Sequence, residues 1–173
     1  MRLIMMLVIS LMAGSGVVAQ SLQLFTEKPD DKEKKFLYGI LTKQQVTENP
    51  DFPWYAENAK YAKPQPDVVE AIKAGKSKAE IVMFIGTWCH DTQQLLPKYF
   101  KSLEAAEFSD EQLLIIGTDR AKHTLSNMHK VFNVHTVPTV IVLQDGKEVG
   151  RVSEYGETGL VDKELADIFR KLQ

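Results

Sequence analysis

The sequence predicts an α/β protein whose central mixed β-sheet is flanked by helices on both faces. Two observations lead to this fold class. From residue 66 onwards, short continuous apolar runs of strand length alternate with segments whose apolar residues recur at helical spacing. A strand–helix–strand unit comes first and a hairpin comes last, so one sheet must combine parallel and antiparallel neighbours.

The elements follow in the order helix, strand, helix, strand, helix, strand, strand, helix. Pro66-Asp67 opens the first helix and Gly75 ends it, because proline suits the first helical turn and glycine terminates helices. Asp145-Gly146 is typical of a tight turn between antiparallel strands. The predicted strands are 81–85, 113–116, 140–143 and 148–152, and the later helices fall within 95–103, 125–132 and 160–172.

The composition excludes several classes of protein. Hydrophobic residues make up 44% of the 173-residue chain and the net charge is −2, which indicates a folded domain with a core. That charge provides no basic surface for nucleic acid. The single cysteine excludes an internal disulfide and any all-cysteine zinc or iron–sulfur site within one chain. We expect no cofactor.

The N-terminus has the three-part pattern of a secretory signal peptide. Arg2 precedes an apolar run over 3–12, and Val17-Val18-Ala19 supplies a cleavage site after Ala19. The alternative is an uncleaved anchor, but the run is shorter than the ~20 residues that span a bilayer. Residues 1–19 are therefore predicted to be removed, leaving an exported protein, periplasmic or extracellular, without stable membrane insertion.

The mature chain divides into three parts. Residues 20–35 are polar and charged and predict a flexible lead-in. Residues 36–65 are rich in aromatic side chains and predict an extension that packs on the main domain, the alternative being an aromatic ligand groove. Residues 66–173 hold the regular elements and form the main domain.

The only cysteine, Cys89, lies between a predicted buried strand and the start of a helix. The free N–H groups and the positive dipole end of a helix start favour a thiolate over a thiol. The thiolate is the nucleophile of disulfide exchange. The alternative is an inert, buried cysteine that acts as a small hydrophobe.

Several separate positions resemble one known family. Trp88-Cys89 resembles the start of the CxxC motif of thioredoxin-like proteins, Pro97 falls where the family kinks its active-site helix, and Val137-Pro138-Thr139 resembles its cis-proline loop. With the final hairpin and helix, residues 66–173 are similar to a thioredoxin-like domain, and the extension is similar to that of exported bacterial relatives. The resemblance implies a thiol–disulfide oxidoreductase-like activity. Cys89 would be its nucleophile, Trp88 would shield the sulfur, and Val137 and Pro138 would present backbone to a substrate strand.

Two positions depart from the family pattern. Thr92 stands in place of the second, resolving cysteine, and Met83 stands in place of the buried aspartate that serves that cysteine. The Cys-His-Asp-Thr motif is thus a monothiol form. We expect Cys89 to form mixed disulfides with protein or small-molecule thiol or disulfide substrates, and an external reducing thiol to release them.

The neighbours of Cys89 leave alternatives open. His90 would stabilise the thiolate or act as a general base, or it would simply face solvent. Asp91 suits the first helical turn but opposes a nearby thiolate. Thr92 would hydrogen-bond the sulfur or satisfy the helix start.

A metal site is the weaker alternative. His135 lies three residues before Pro138, so a loop folded against the active site would bring its imidazole towards Cys89 and Asp91. Such a set could bind copper or zinc, but a single thiol makes it incomplete, and we expect no metal. His123 and His129 are assigned to helix faces, and 119–122 to a solvated loop.

Two functional hypotheses follow. In the first, the protein performs thiol–disulfide chemistry through Cys89. In the second, it is a non-redox binding or adaptor module that kept the fold and lost the resolving cysteine. They differ in one observable, because an adaptor would bind its partner equally well with Cys89→Ser.

Overall fold

The computed structural model describes residues 25–29 and 35–172, so the predicted signal peptide lies outside the described residues. A six-stranded sheet runs through these residues in the order β1-β2-β4-β3-β5-β6. The strands are β1 Phe25–Pro29, β2 Lys35–Leu41, β3 Glu80–Ile85, β4 Leu113–Gly117, β5 Thr139–Gln144 and β6 Lys147–Ser153. The helices are α1 Lys43–Thr47, α2 Pro53–Ala59, α3 Pro66–Gly75, α4 His90–Ala105, α5 Met128–Val131 and α6 Val161–Phe169.

The strand pairing confirms the predicted mixed sheet. β3 and β4 are parallel and are joined by the crossover helix α4. β5 pairs antiparallel with β3 and with β6, and β2 pairs antiparallel with β4. The turn between β5 and β6 is Asp145-Gly146, with φ of 51° and 71°. This left-handed pair matches the twist of the two strands, as the Asp-Gly sequence predicts.

The buried apolar runs divide between two clusters. Ile81, Met83 and Ile85 of β3 belong to the larger cluster, together with residues of α3, α4 and α6. Val82 and Phe84 belong to the smaller one, against which Met128 of α5 packs. Alternate residues of a strand point to opposite faces, so helices cover both faces of the sheet.

The N-terminal part of the chain differs from the prediction. Phe25–Pro29, within the predicted flexible lead-in of 20–35, form strand β1, which pairs antiparallel with β2. The prediction was wrong for these five residues and for Lys35, the first residue of β2. The sequence of β1 is polar, and the strand depends on its partner for its hydrogen bonds. The predicted extension also does more than pack on the domain, since β2 extends the sheet beyond β4.

Candidate active site

Cys89 is the N-cap residue of α4. Its backbone is extended, with φ −88° and ψ 128°, and its carbonyl accepts the Gln93 N–H at 3.0 Å, which starts the helix. The Cys89 N–H donates to the carbonyl of Gly86 at 2.8 Å and closes the turn after β3. No side chain of the described residues caps the helix, so its start is open beside the half-buried thiol.

The loop before β5 contacts the sulfur. The Cys89 thiol donates to the carbonyl oxygen of Val137 at 3.4 Å, and the Val137–Pro138 peptide bond is cis. Glu154 in turn donates its N–H to the carbonyl oxygen of Pro138 at 2.7 Å. The structure therefore brings three of the predicted residues together at one place, although 48 residues separate the thiol from Val137.

Trp88 is held beside Cys89 by specific contacts. Its indole Nε1 donates to the carbonyl oxygen of Thr118 at 2.9 Å, and the Arg120 guanidinium lies 5.4 Å from the ring centroid. A Cβ on Gly86 would come within 2.7 Å of the indole, so this position requires glycine. Residues 119–122, expected to be a solvated loop only, thus also supply a cation to the tryptophan.

Thr92 is fully buried and its hydroxyl oxygen accepts the Gly86 N–H at 3.3 Å. This partner lies before α4, so the bond shown is neither of the two predicted ones, to the sulfur or to the helix start. The threonine ties the first turn of α4 to the end of β3. His90 occupies the first position of α4 and is exposed, which leaves its imidazole open to solvent.

Tyr155 is a site residue that the sequence reasoning missed. Its hydroxyl donates to Oδ1 of Asp91 at 3.1 Å across 64 residues of sequence. Partial burial, the Asp91 hydrogen bond, and the charges of Asp91 and Cys89 raise the pKa of Tyr155. No sequence signal identifies this contact, because Tyr155 lies in a loop beyond the last strand and reaches Asp91 only through the fold.

The histidines lie elsewhere. His135 is exposed and its Nε2 pairs with Oδ1 of Asn133 at 2.9 Å. Within residues 25–29 and 35–172, no three His, Cys, Asp or Glu side chains are grouped so that they could hold a metal ion. His129 is on α5 as predicted but is buried, whereas His123 lies in the loop before α5 and not on a helix face.

The N-terminal extension braces the active-site loop. The Leu37 N–H of β2 donates to the Thr87 hydroxyl at 3.0 Å in a buried position. The Asn58 side-chain amide donates to the carbonyl oxygen of Gln93 at 2.9 Å, and the Gln93 side chain donates to the carbonyl oxygen of Thr87 at 2.9 Å. Both the turn before Cys89 and the first turn of α4 are therefore tied to the extension.

The aromatic residues of the extension mainly pack into the hydrophobic core. Phe52 and Tyr55 are buried in the main core, and the Tyr55 ring lies 6.0 Å from that of Phe100. Burial raises the pKa of Tyr55 to about 12. A cleft of ≈ 790 Å³ beside α1 and α4 has Tyr55 in its wall and contains none of the residues predicted for the active site.

Comparison with known proteins decides the family. The Thioredoxin family model matches residues 65–166, more than half of the chain. The chain belongs to the thioredoxin family. A thioredoxin of Echinococcus granulosus is 29% identical to this family member over 94 residues, which are 54% of this chain and 81% of that protein.

Solved thioredoxins are similar at lower identity. Fasciola hepatica thioredoxin is 19% identical, with a TM-score of 0.41, over 60% of this chain and 89% of that one. The reduced Schistosoma mansoni thioredoxin is 24% identical, with a TM-score of 0.40, over 64% and 94% of the two chains. Membership of the thioredoxin family supports a thiol–disulfide oxidoreductase-like activity on thiol or disulfide substrates. In the described part of this thioredoxin-family protein, every helix is too short or too polar to cross a membrane.

Proposed function

We propose that this protein is an exported, monothiol thioredoxin-family protein that exchanges disulfides through Cys89. One observation carries the proposal: the sulfur lies at the open start of α4 and against the Val137 carbonyl, at 3.4 Å. Thr92 stands where the family has its second cysteine, and its hydroxyl accepts the backbone N–H of Gly86. The chain has one cysteine and cannot form an internal disulfide.

The exchange needs two balanced steps. The Cys89 thiolate attacks one sulfur of a substrate disulfide, a new S–S bond joins that sulfur to Cys89, and the other sulfur leaves as a thiolate. A second, external thiolate then attacks the substrate sulfur of this mixed disulfide and releases Cys89 as a thiolate. No net electrons are stored in the protein, and the substrate exchanges one sulfur partner for another.

The residues around Cys89 are proposed to assist this exchange. Trp88 is proposed to form one wall of the site, and Val137-Pro138 to offer backbone to an extended substrate segment. His90, exposed one residue after the thiol, is proposed to favour the thiolate when protonated. Export is supported by the pattern of residues 1–19, namely a basic residue, an apolar run and small residues before Gln20.

The test is the reaction of native protein with oxidised glutathione, followed by intact mass. We expect Cys89 to form the mixed disulfide at least about ten-fold faster in the folded protein than in the same chain unfolded in urea at the same pH. An added small thiol should then reverse the adduct. Equal or slower reaction of the folded protein would overturn the proposal. The mass also reports whether the exported protein begins at Gln20.

The second candidate is a binding module without redox turnover, and the placement of Thr92 favours it. The Thr92 hydroxyl is buried and accepts a backbone N–H, so this position offers no second thiol to complete a catalytic cycle within the motif. This function would be indicated if partners captured by the wild type are retained with undiminished affinity by Cys89→Ser.

A further inference from the structure

The loop after β6 reaches back to the active site. It spans 154–160 and places the half-exposed ring of Tyr155 next to the first turn of α4, where the hydroxyl donates to Oδ1 of Asp91 at 3.1 Å. Asp91 lies two residues after Cys89. This contact joins the loop to the only carboxylate of the Cys-His-Asp-Thr motif.

Hydrogen bonds hold this loop at both ends. At its start, the Glu154 N–H donates to the carbonyl oxygen of Pro138 at 2.7 Å, beside the sulfur. Further along, the Glu164 carboxylate of α6 accepts the N–H of Glu157 at 3.0 Å, and both the N–H and the hydroxyl of Thr158 at 2.7 and 2.6 Å. The backbone on either side of Tyr155 is therefore held in place, and the bond to Asp91 holds its hydroxyl.

Gly156 makes this arrangement possible. Its φ is +67°, and a Cβ there would lie 2.2 Å from a Glu164 carboxylate oxygen. A larger residue would be strained at this φ and would displace the Glu164 carboxylate, which accepts the hydrogen bonds of Glu157 and Thr158. The left-handed backbone at Gly156 thus sets the course of the loop directly after Tyr155.

Asp91 lies in the first turn of α4, two residues after the N-cap Cys89. A carboxylate two residues from a thiolate disfavours the thiolate, because like charges repel. A hydrogen bond from a phenol to the carboxylate draws part of its negative charge away from the sulfur and fixes its orientation. The raised pKa of Tyr155, to which the charges of Asp91 and Cys89 both contribute, is consistent with a hydroxyl in electrostatic reach of both groups.

We propose that Tyr155 is a positioning residue of the Cys89 site, which holds the Asp91 carboxylate by a hydrogen bond and so limits its repulsion of the thiolate. The proposal rests on the proposed function, since it concerns the reactivity of the same sulfur. It predicts that the phenol hydroxyl matters only while residue 91 carries a negative charge.

The experiment compares four variants with the wild type: Tyr155→Phe, Asp91→Asn, the double variant, and Tyr61→Phe as the matched control. Tyr61 is 82% exposed, so its hydroxyl should not matter. The rate of Cys89 alkylation by iodoacetamide is measured on native protein from pH 5 to pH 10 by intact mass.

We expect Tyr155→Phe to slow alkylation about three-fold at pH 7 and to reach the wild-type rate at high pH, where the thiolate is fully formed. Asp91→Asn should speed the reaction at pH 7, and adding Tyr155→Phe to Asp91→Asn should have no further effect. The Tyr61→Phe variant should follow the wild type at every pH.

Other outcomes overturn specific claims. Equal rates for Tyr155→Phe and wild type, or the same slowing with and without Asp91→Asn, would overturn the role of Tyr155. Slowing that persists at high pH would assign Tyr155 a structural role instead. If Cys89 of the native wild type does not react at all, the proposed function itself is overturned.

Discussion

At the scale of single residues, the Thr92 hydroxyl determines how the thiol-bearing turn is built. It is fully buried and accepts the N–H of Gly86, a buried backbone group that lies between β3 and Cys89. A buried N–H without a partner keeps its full desolvation cost. Thr92 therefore stabilises the turn that presents the sulfur.

Replacement of Thr92 by Val should destabilise the protein. Valine keeps the shape of threonine and removes the acceptor, so we expect the free energy of unfolding to fall by about 1–3 kcal/mol. Urea unfolding of the variant and the wild type measures this difference in the free energy of unfolding. Thr92→Ser is the matched control, because serine keeps the hydroxyl and should lose less. A valine variant as stable as the wild type would mean that Gly86 finds another partner.

At the scale of elements, the segment between β4 and α5 is organised around His129. The buried imidazole Nδ1 of His129 accepts the backbone N–H of Thr124 at 3.2 Å, while the backbone N–H of His129 donates to the Thr124 hydroxyl at 2.9 Å. Nδ1 can accept only when it carries no proton. Burial lowers the pKa of His129, the charges of His123, Lys130 and His135 lower it further, and Asp119 raises it.

This arrangement makes stability depend on pH. The folded protein takes up a proton at His129 less readily than the unfolded chain, whose histidine titrates near 6.5. The stabilisation is therefore present above pH 6.5 and is lost as the pH falls below it. We expect a lower urea midpoint at pH 5.5 than at pH 7.5. Glu104 does not contribute to this difference. The hydrogen bond from Lys101 lowers its pKa below the ordinary 4.5, which is outside the interval from pH 5.5 to pH 7.5.

Two variants test whether His129 causes this pH dependence of stability. His129→Gln removes the titration and should reduce the difference between the two midpoints, at some cost in stability at pH 7.5. His123→Gln is the control, because His123 is exposed and adds only a neighbouring charge. If both variants keep the full pH difference, other groups cause it.

At the scale of the whole molecule, the N-terminal extension is part of one cooperative structure. β2 supplies the partner of β4, and its Leu37 N–H bonds the Thr87 hydroxyl in the active-site turn. A Cβ on Gly117 would lie 2.5 Å from the Leu37 carbonyl oxygen, which shows how closely the two strands approach. The extension contributes these buried side chains: Phe36, Leu37, Leu41, Val46, Phe52 and Tyr55.

A chain that starts at Ala62 should not fold cooperatively. Each lost buried side chain is worth about 1.5–3 kcal/mol, so their sum is comparable with the about 5–15 kcal/mol that stabilises a typical domain. The uncovered β4 would also expose an unpaired edge. Urea unfolding followed by circular dichroism measures this, with a chain starting at Gln20 as the control. Equal cooperative transitions of the two chains would contradict it.

Much of the fold was predictable because its signals are local. β3 and β5 are apolar on both faces, α3 begins at a proline, and Asp145-Gly146 forms the turn that its sequence favours. β1 was not predictable in this way, since its five residues have no apolar pattern and pair with a strand that was itself assigned to an extension.

In the candidate site, too, some features follow from local sequence and others do not. The place of Cys89 between a strand and a helix follows from residues within one turn of it, and the nearness of the 137–138 loop follows from the family resemblance. The Tyr155–Asp91 contact spans 64 residues. A pairwise contact between a loop residue and the first turn of a helix leaves no periodic trace in the sequence.

The sequence by itself determined the order of strands and helices from residue 66 onwards, the single thiol at a helix start and the absence of a second cysteine, because each depends on residue type and local spacing. The tertiary structure alone decided that β1 and β2 extend the sheet, that the Thr92 hydroxyl serves the backbone and that Tyr155 meets Asp91. Those features arise from hydrogen bonds between distant parts of the chain, and such bonds form only after the sheet has brought their donors and acceptors together.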